Sequence, residues 1–124
     1  MSTHAKPTIL ICDDEEGIRE SFKLILEDQY NLKFATNGPE ALEMLKTLNP
    51  ALMMLDIKMP KIHGLEVLKQ IKQLKPKLPV IIVTGYQSVE MAQEALKLGA
   101  ADYIPKPFDS KSILRVVEQG ISRK

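Results

Sequence analysis

The stretch Ile9-Leu10-Ile11-Cys12-Asp13-Asp14-Glu15-Glu16 decides the fold, because a short apolar run passes directly into four consecutive carboxylates. The apolar half is typical of a buried strand, and the acidic half begins where that strand ends. Like charges at contact distance repel one another and raise each other's pKa. A cluster of this kind above a sheet therefore indicates a hard cation with oxygen ligands. The alternative is that the acids only favour the start of a helix, at the positive end of its dipole.

Further apolar runs follow the first, and most are continuous rather than alternating, which indicates strands buried on both faces. The predicted strands are Thr8 to Cys12, Leu32 to Thr36, Ala51 to Leu55, Val80 to Thr84 and Ala101 to Ile104. After each strand the apolar residues recur at helical spacing, as in Ile18, Phe22, Ile25 and Leu26. The strict alternation of strand and helix predicts an α/β fold, with a parallel sheet covered by helices on both sides.

Composition restricts the possible functions. A chain of 124 residues has the usual size of one domain. Its net charge of +1 and its low aromatic content of 5% argue against a dedicated nucleic-acid binder. A single cysteine excludes an internal disulfide, and the N-terminus lacks the apolar core of a signal peptide. No apolar run approaches the ~20 residues needed to cross a bilayer, so we expect a cytoplasmic protein.

Polar residues follow the other predicted strands. Asp56 ends the third apolar run, Thr84 and Gly85 end the fourth, and Lys106 lies between two prolines after the fifth. Because the carboxyl ends of inner strands converge on one crevice, we expect these side chains to meet the acidic cluster there. Taken singly, Thr84 could be only a β-branched strand end, and Lys106 only a solvated surface charge.

The chemistry of such a crevice is limited by its acidity. The chain has neither a GxGxxG nor a GxxxxGK[ST] motif to cradle phosphate with backbone N–H groups. Bare carboxylates repel a phosphate, so phosphoryl chemistry here would need a divalent ion, and Mg²⁺ is the natural candidate. An acidic pair, an isolated carboxylate, a hydroxyl and an ammonium suit covalent catalysis by a carboxylate nucleophile, in which an aspartyl phosphate forms.

From roughly Thr8 to Ile121 the sequence resembles the receiver domains of bacterial two-component response regulators. The motifs that carry the resemblance are Asp13-Asp14, Asp56-Ile57-Lys58-Met59-Pro60 with Gly64, Thr84-Gly85, and Tyr103 with Lys106-Pro107-Phe108. The resemblance implies a single receiver domain over residues 1–124. It also implies a flavodoxin-like, doubly wound parallel sheet of five strands in the order 2-1-3-4-5, with five helices.

The resemblance further implies a role for each site residue. Asp56 would accept the phosphoryl group and would form the catalytic set with Thr84 and Lys106. Mg²⁺, for which Mn²⁺ can substitute, would be bound directly by Asp14, Asp56 and the main-chain carbonyl of Lys58, and mainly through water by Asp13.

Other implied roles concern signalling. Thr84 would hydrogen-bond the phosphoryl group, and Tyr103 would swing inward once Thr84 has moved. The Lys106-Pro107 bond would be cis, which helps to aim the lysine. Glu15 and Glu16 are left with the simpler role of favouring the first helical turn. Judged without the resemblance, Tyr103 is a packing ring and Cys12 a small core residue.

The implied function is a phosphorylation-controlled signalling switch rather than a turnover enzyme. Its partners would be a sensor histidine kinase or histidine phosphotransfer protein, and a downstream output domain or protein. The face built by helix four, strand five and helix five would bind that output or form a phosphorylation-dependent homodimer. We expect no direct nucleic-acid binding and no membrane contact.

Two rival functions remain open. One is a degenerate receiver that works only as a protein-binding module, although every catalytic position carries the expected residue type. The other is a phosphatase with an aspartyl nucleophile, which would normally have a second acid two residues after the nucleophile. Lys58 occupies that place.

Overall fold

The computed structural model describes residues 6–57, 64–85 and 89–122. Strands and helices alternate along these ranges. The strands are β1 (Thr8–Cys12), β2 (Asn31–Ala35), β3 (Leu52–Asp56), β4 (Val80–Gly85) and β5 (Asp102–Lys106). The helices are α1 (Glu16–Leu26), α2 (Gly38–Leu45), α3 (Gly64–Leu74), α4 (Val89–Lys97) and α5 (Ser110–Ser122). Within the described ranges, no helix combines the length and apolarity that a membrane crossing requires.

All strands run parallel in one five-stranded sheet of order β2-β1-β3-β4-β5. The predicted α/β fold and strand order are therefore confirmed. The register aligns Cys12 of β1 with Leu55 of β3, so the next residue of each strand, Asp13 and Asp56, lies at the same height. At the other side of the sheet, Lys106 of β5 pairs with Gly85 of β4.

The core consists of two apolar layers, one on each face of the sheet. Successive side chains of a strand point to opposite faces, and β1 shows this directly: Ile9 and Ile11 pack in one layer, Leu10 and Cys12 in the other. Phe22 of α1 and Val117 of α5 belong to the first layer. Helices α2, α3 and α4 cover the second layer. We call the first of these surfaces the α1/α5 face.

The bounds of β1 match the sequence prediction, and those of the other strands differ from it by one or two residues. The largest difference is in β5, which was predicted to end at Ile104 but continues through Pro105 to Lys106. Proline lacks an N–H donor and is normally confined to edge strands, which is the position of β5. The extension places Lys106 within the sheet rather than in a loop.

Glycine is required where α3 approaches β3. A Cβ atom at Gly64 would contact the backbone of Ile57, with the Ile57 carbonyl oxygen only 2.5 Å away. Ile57 directly follows Asp56, so the close approach fixes the chain beside the predicted phosphoryl acceptor. Backbone atoms cannot move aside as a flexible side chain does.

We expect Gly64→Ala to lower the free energy of unfolding by about 1–3 kcal/mol, because the added methyl group overpacks a contact with rigid backbone. The matched control is Gly17→Ala in α1, where a Cβ would meet no atom within 4 Å. That change should raise stability by about 0.5–1 kcal/mol through helix propensity. Urea denaturation followed by far-UV circular dichroism measures both. Equal stability of the two variants would show that the contact with Ile57 imposes no constraint.

Candidate functional site

Strand alternation places three charged side chains above the α1/α5 face. Asp13 continues the row of Ile9 and Ile11, and Asp56 continues the row of Leu52 and Met54. Lys106 follows Ile104 in the same way. Because the strands are parallel, the three rows end on the same side of the sheet, at the carboxyl ends of the strands. The last side chain of each row meets the others there.

The Lys106 ammonium lies at the centre of the site. Its Nζ atom is 3.3 Å from Asp56 Oδ2 and 3.4 Å from Asp13 Oδ2. It is also 3.2 Å from Glu15 Oε1. Lysine carries three donors and can contact several oxygens at once. One cation from the last strand therefore connects acids that lie at the ends of the first and third strands.

Burial differs sharply among these groups. The side chains of Asp13 and Asp56 are 1% and 4% exposed, whereas that of Glu15 is 63% exposed. Asp56 and Lys106 line an open depression of about 360 Å³ together with Asp14, Glu15 and Gly85. A Cβ at Gly85 would meet no atom within 4 Å, so the missing side chain leaves this depression open. In the part of the chain that the structure describes, this depression leads from solvent to the Asp56 carboxylate.

Local hydrogen bonds hold Asp13 in place. Its backbone N–H donates to the carbonyl of Ala35 at 3.0 Å. Its Oδ1 accepts the backbone N–H of Glu15 at 2.9 Å, which is the local side-chain bond that aspartate forms before helices. The guanidinium of Arg19 donates to the Asp13 carbonyl oxygen at 2.8 Å. These bonds fix the orientation of the acidic loop.

Burial is also the largest influence on the Asp13 pKa. The Asp13 pKa is raised from 3.8 to about 6, mainly by removal from water and in addition by the Asp56 charge. The hydrogen bond from Glu15 and the nearby Lys106 ammonium limit it. For Lys106, burial alone would lower the pKa, but the surrounding carboxylates outweigh burial and raise it. Lys106 therefore remains a cation at neutral pH.

The acidic residues fit a hard divalent cation. One oxygen each from Asp13, Asp14, Glu15 and Asp56 lies within 4.8 Å of the others. Asp13 Oδ2 is buried and accepts no hydrogen bond from the described residues, although Lys106 is near. A buried carboxylate oxygen without a hydrogen bond lowers the stability of the folded state, because its lost hydration is not replaced. Carboxylate oxygens are also the ligands that Mg²⁺ prefers.

Glu15 has a contact that the sequence did not predict. It lies at the N-cap position of α1, the helix start to which the sequence assigned it, and its side chain forms no capping hydrogen bond there. Its carboxylate contacts Lys106. The two residues are 91 positions apart in sequence, and no local pattern signals their contact.

Several predicted residues fall outside the described part of the chain. These are Lys58, with its proposed metal-binding carbonyl, and the side chain of Thr84. The backbone of Thr84 is described, and it pairs with Pro105 in the sheet. Tyr103 is half-buried and packs against the layer covered by α2, α3 and α4. The Lys106-Pro107 bond is cis, as expected.

Cys12 is a core residue, as the sequence predicted. Its side chain is buried, and its Sγ lies 3.4 Å from the Asn37 carbonyl oxygen. Burial, followed by the charges of Asp13 and Asp56, raises the pKa of the thiol to about 12. Cys12 therefore stays protonated at neutral pH and supplies no thiolate nucleophile to the site.

Comparison with known proteins agrees with this geometry. A family model described as "Response regulator receiver domain" matches residues 9–118. The chain belongs to the response regulator receiver domain family. It is accordingly a phosphorylation-controlled signalling switch of the two-component type.

Relatives of this receiver domain include larger regulators. The DNA-binding transcriptional regulator NtrC of Escherichia coli K12 is 41% identical over 116 residues, which cover 92% of this chain and 24% of NtrC. The regulatory protein AtoC of the same strain is 36% identical over 114 residues, or 91% of this chain and 25% of AtoC. The chain thus spans about a quarter of the length of these relatives.

A solved structure confirms the fold of this receiver domain. The receiver domain of NtrX from Brucella abortus superimposes with a TM-score of 0.90 at 34% identity. The match covers 94% of this chain and 99% of the NtrX domain.

The raised pKa of Asp13 predicts a pH-dependent stability. Between pH 3.8 and about 6 the folded state holds a proton on Asp13 that the unfolded state has lost. The folded state then binds more protons, so a rise in pH through this interval lowers the free energy of unfolding. The loss should be about 3 kcal/mol.

We expect this loss in the wild-type protein without divalent ions and not in Asp13→Asn, which has no titrating group at this position. Urea denaturation at a series of pH values measures the free energy of unfolding of the wild type and of Asp13→Asn. Asp28→Asn, at an exposed carboxylate, is the control and should follow the wild type. Parallel curves for wild type and Asp13→Asn would contradict the burial argument.

Proposed function

We propose that Asp56 accepts a phosphoryl group from the phosphohistidine of a sensor kinase or phosphotransfer protein, or from a small acyl phosphate. The carrying observation is the position of the Asp56 carboxylate: it is almost fully buried, lies 3.3 Å from the Lys106 ammonium, and lines a depression open to solvent. A carboxylate in this position is accessible only to a small group that enters through the depression.

The transfer proceeds by attack of an Asp56 oxygen on the phosphorus atom. A P–O bond forms to Asp56, while the bond from phosphorus to the donor's histidine nitrogen or acyl oxygen breaks with its electron pair. The imidazole then takes a proton from water, whereas an acyl donor leaves as a carboxylate. Lys106 binds a phosphoryl oxygen as a point charge. Catalysis is mainly positional and electrostatic.

A divalent ion belongs to this site in our proposal. Asp13, Asp14 and Asp56 would hold Mg²⁺ together with the Lys58 carbonyl, and Mn²⁺ could replace it. When bound, the ion supplies positive charge that neutralises the phosphoryl oxygens and the acidic cluster. The buried Asp13 oxygen without a hydrogen bond supports this assignment.

The phosphorylated state would then be communicated through Thr84 and Tyr103. Thr84 would bind the phosphoryl group, and Tyr103 would turn inward, shifting an equilibrium at the face formed by α4, β5 and α5. That face would contact the output domain or protein, or a second copy of the chain. We place this one receiver domain, residues 1–124, in the cytoplasm, with no direct contact to nucleic acid or membrane.

Loss of the acceptor tests the assignment of Asp56. We expect Asp56→Asn to abolish labelling by radioactive acetyl phosphate in the presence of Mg²⁺, because an amide is a poor nucleophile for phosphorus. Asp28→Asn, which removes an exposed carboxylate remote from the site, should label like the wild type. The label in the wild type should also require Mg²⁺ and disappear with EDTA. Persistent label on Asp56→Asn would place the acceptor elsewhere.

A phosphate mimic separates the switch from a pure binding module. With Mg²⁺ present, beryllofluoride should raise the melting temperature of the wild type, because a ligand that binds only the folded state stabilises it. Asp56→Asn should show no such rise. Differential scanning calorimetry provides the measurement. An unchanged melting temperature in the wild type would favour the binding module.

A further inference from the structure

Within the described part of the chain, Glu15 is the solvent-exposed partner of the Lys106 ammonium. Three carboxylates surround Nζ, and two of them, Asp13 and Asp56, are almost completely buried. Glu15 is the exposed member, and its Oε1 accepts a hydrogen bond from Lys106 at 3.2 Å. Among the described carboxylates that contact Lys106, Glu15 is therefore the one that an anion arriving from solvent can displace most readily.

A phosphoryl oxygen and the Glu15 carboxylate are alternative partners for Lys106. Both are anionic acceptors, and each makes the same charge-assisted hydrogen bond to an ammonium. The remaining contacts of Nζ lie toward the sheet, where Asp56 must itself stay close to the incoming phosphorus. Glu15 is the partner that can leave, because its side chain is mostly in solvent.

We propose that Glu15 is a displaceable positioning residue that limits access of phosphoryl donors to Asp56. In the unphosphorylated state its carboxylate holds the Lys106 ammonium and repels anionic donors; the phosphoryl oxygen takes its place on Nζ. This inference rests on the proposed function of Asp56. It gives Glu15 a role in the rate of phosphorylation rather than in folding.

The alternative is an ordinary surface ion pair. Exposed pairs contribute little to folding and are screened by salt. Such a pair would also leave the phosphorylation rate unchanged when it is removed. Rate and anion affinity therefore distinguish the two explanations, whereas stability does not.

The test compares Glu15→Gln with Glu16→Gln. Glutamine keeps the size of residue 15 and can still accept a hydrogen bond from Lys106, but it carries no charge. Glu16 is the matched control: it is the next residue, its side chain is exposed, and it forms no ion pair within the described residues. Both variants change the net charge equally. Acetyl phosphate is the donor, at a Mg²⁺ concentration shown to saturate each variant.

We expect Glu15→Gln to raise the second-order rate constant of labelling about three- to tenfold over Glu16→Gln at low salt, as one nearby partly screened charge is removed. The affinity for beryllofluoride should rise by a similar factor, because this anion competes for the same place on Lys106. At about 1 M salt, both ratios of Glu15→Gln to Glu16→Gln, for the rate constant and for the affinity, should approach one.

Equal rate constants and equal beryllofluoride affinities for the two variants would overturn this inference while leaving Asp56 as acceptor. A slower Glu15→Gln variant would overturn it too, since Glu15 would then assist the reaction. Failure of the wild type to label at all is a different result, which overturns the proposed function and this inference with it.

Discussion

The contact of the Lys106 ammonium with the carboxylates of Asp13 and Asp56 is the interaction on which the site depends. Two buried carboxylates side by side would repel each other and pay for lost hydration. A single cation close to both offsets part of that cost. The compensation is available only because β5 lies in the same parallel sheet as β1 and β3 and brings Lys106 to the same edge.

Different parts of the structure provide stability and carry the charged groups of the site. Two apolar layers, one on each face of the sheet, supply most of the buried surface, and burial of apolar area is the dominant favourable contribution to folding. The charged groups lie at the carboxyl ends of the strands. The ionised form of Asp13 is only partly stabilised there, as its raised pKa indicates. Such incomplete compensation suits the proposed binding of a cation and an anion, because fully satisfied groups would gain nothing from a ligand.

Local sequence patterns were sufficient for the architecture. Continuous apolar runs such as Leu52 to Leu55 predict buried strands, and their alternation with helical stripes predicts a parallel sheet covered on both faces. The acidic pair after β1 and the isolated Asp56 after β3 could also be placed in one crevice, since strand ends converge in such sheets. These inferences succeed because the alternation of strands and helices depends on short-range periodicity and on connection rules, whereas the strand order was implied by the family resemblance.

The sequence by itself determined the α/β fold, the convergence of Asp13, Asp56 and Lys106 at one edge, and the resemblance to receiver domains. Only the tertiary structure decided that β5 extends through Pro105, that Gly64 lies against the Ile57 backbone, and that Glu15 contacts Lys106. Each of these depends on a contact between separate parts of the fold, and the periodicity within one helix or strand carries no information about such a contact. Glu15 illustrates the reason. Its sequence neighbours indicate only a helix start, and its partner, Lys106, is 91 residues away along the chain.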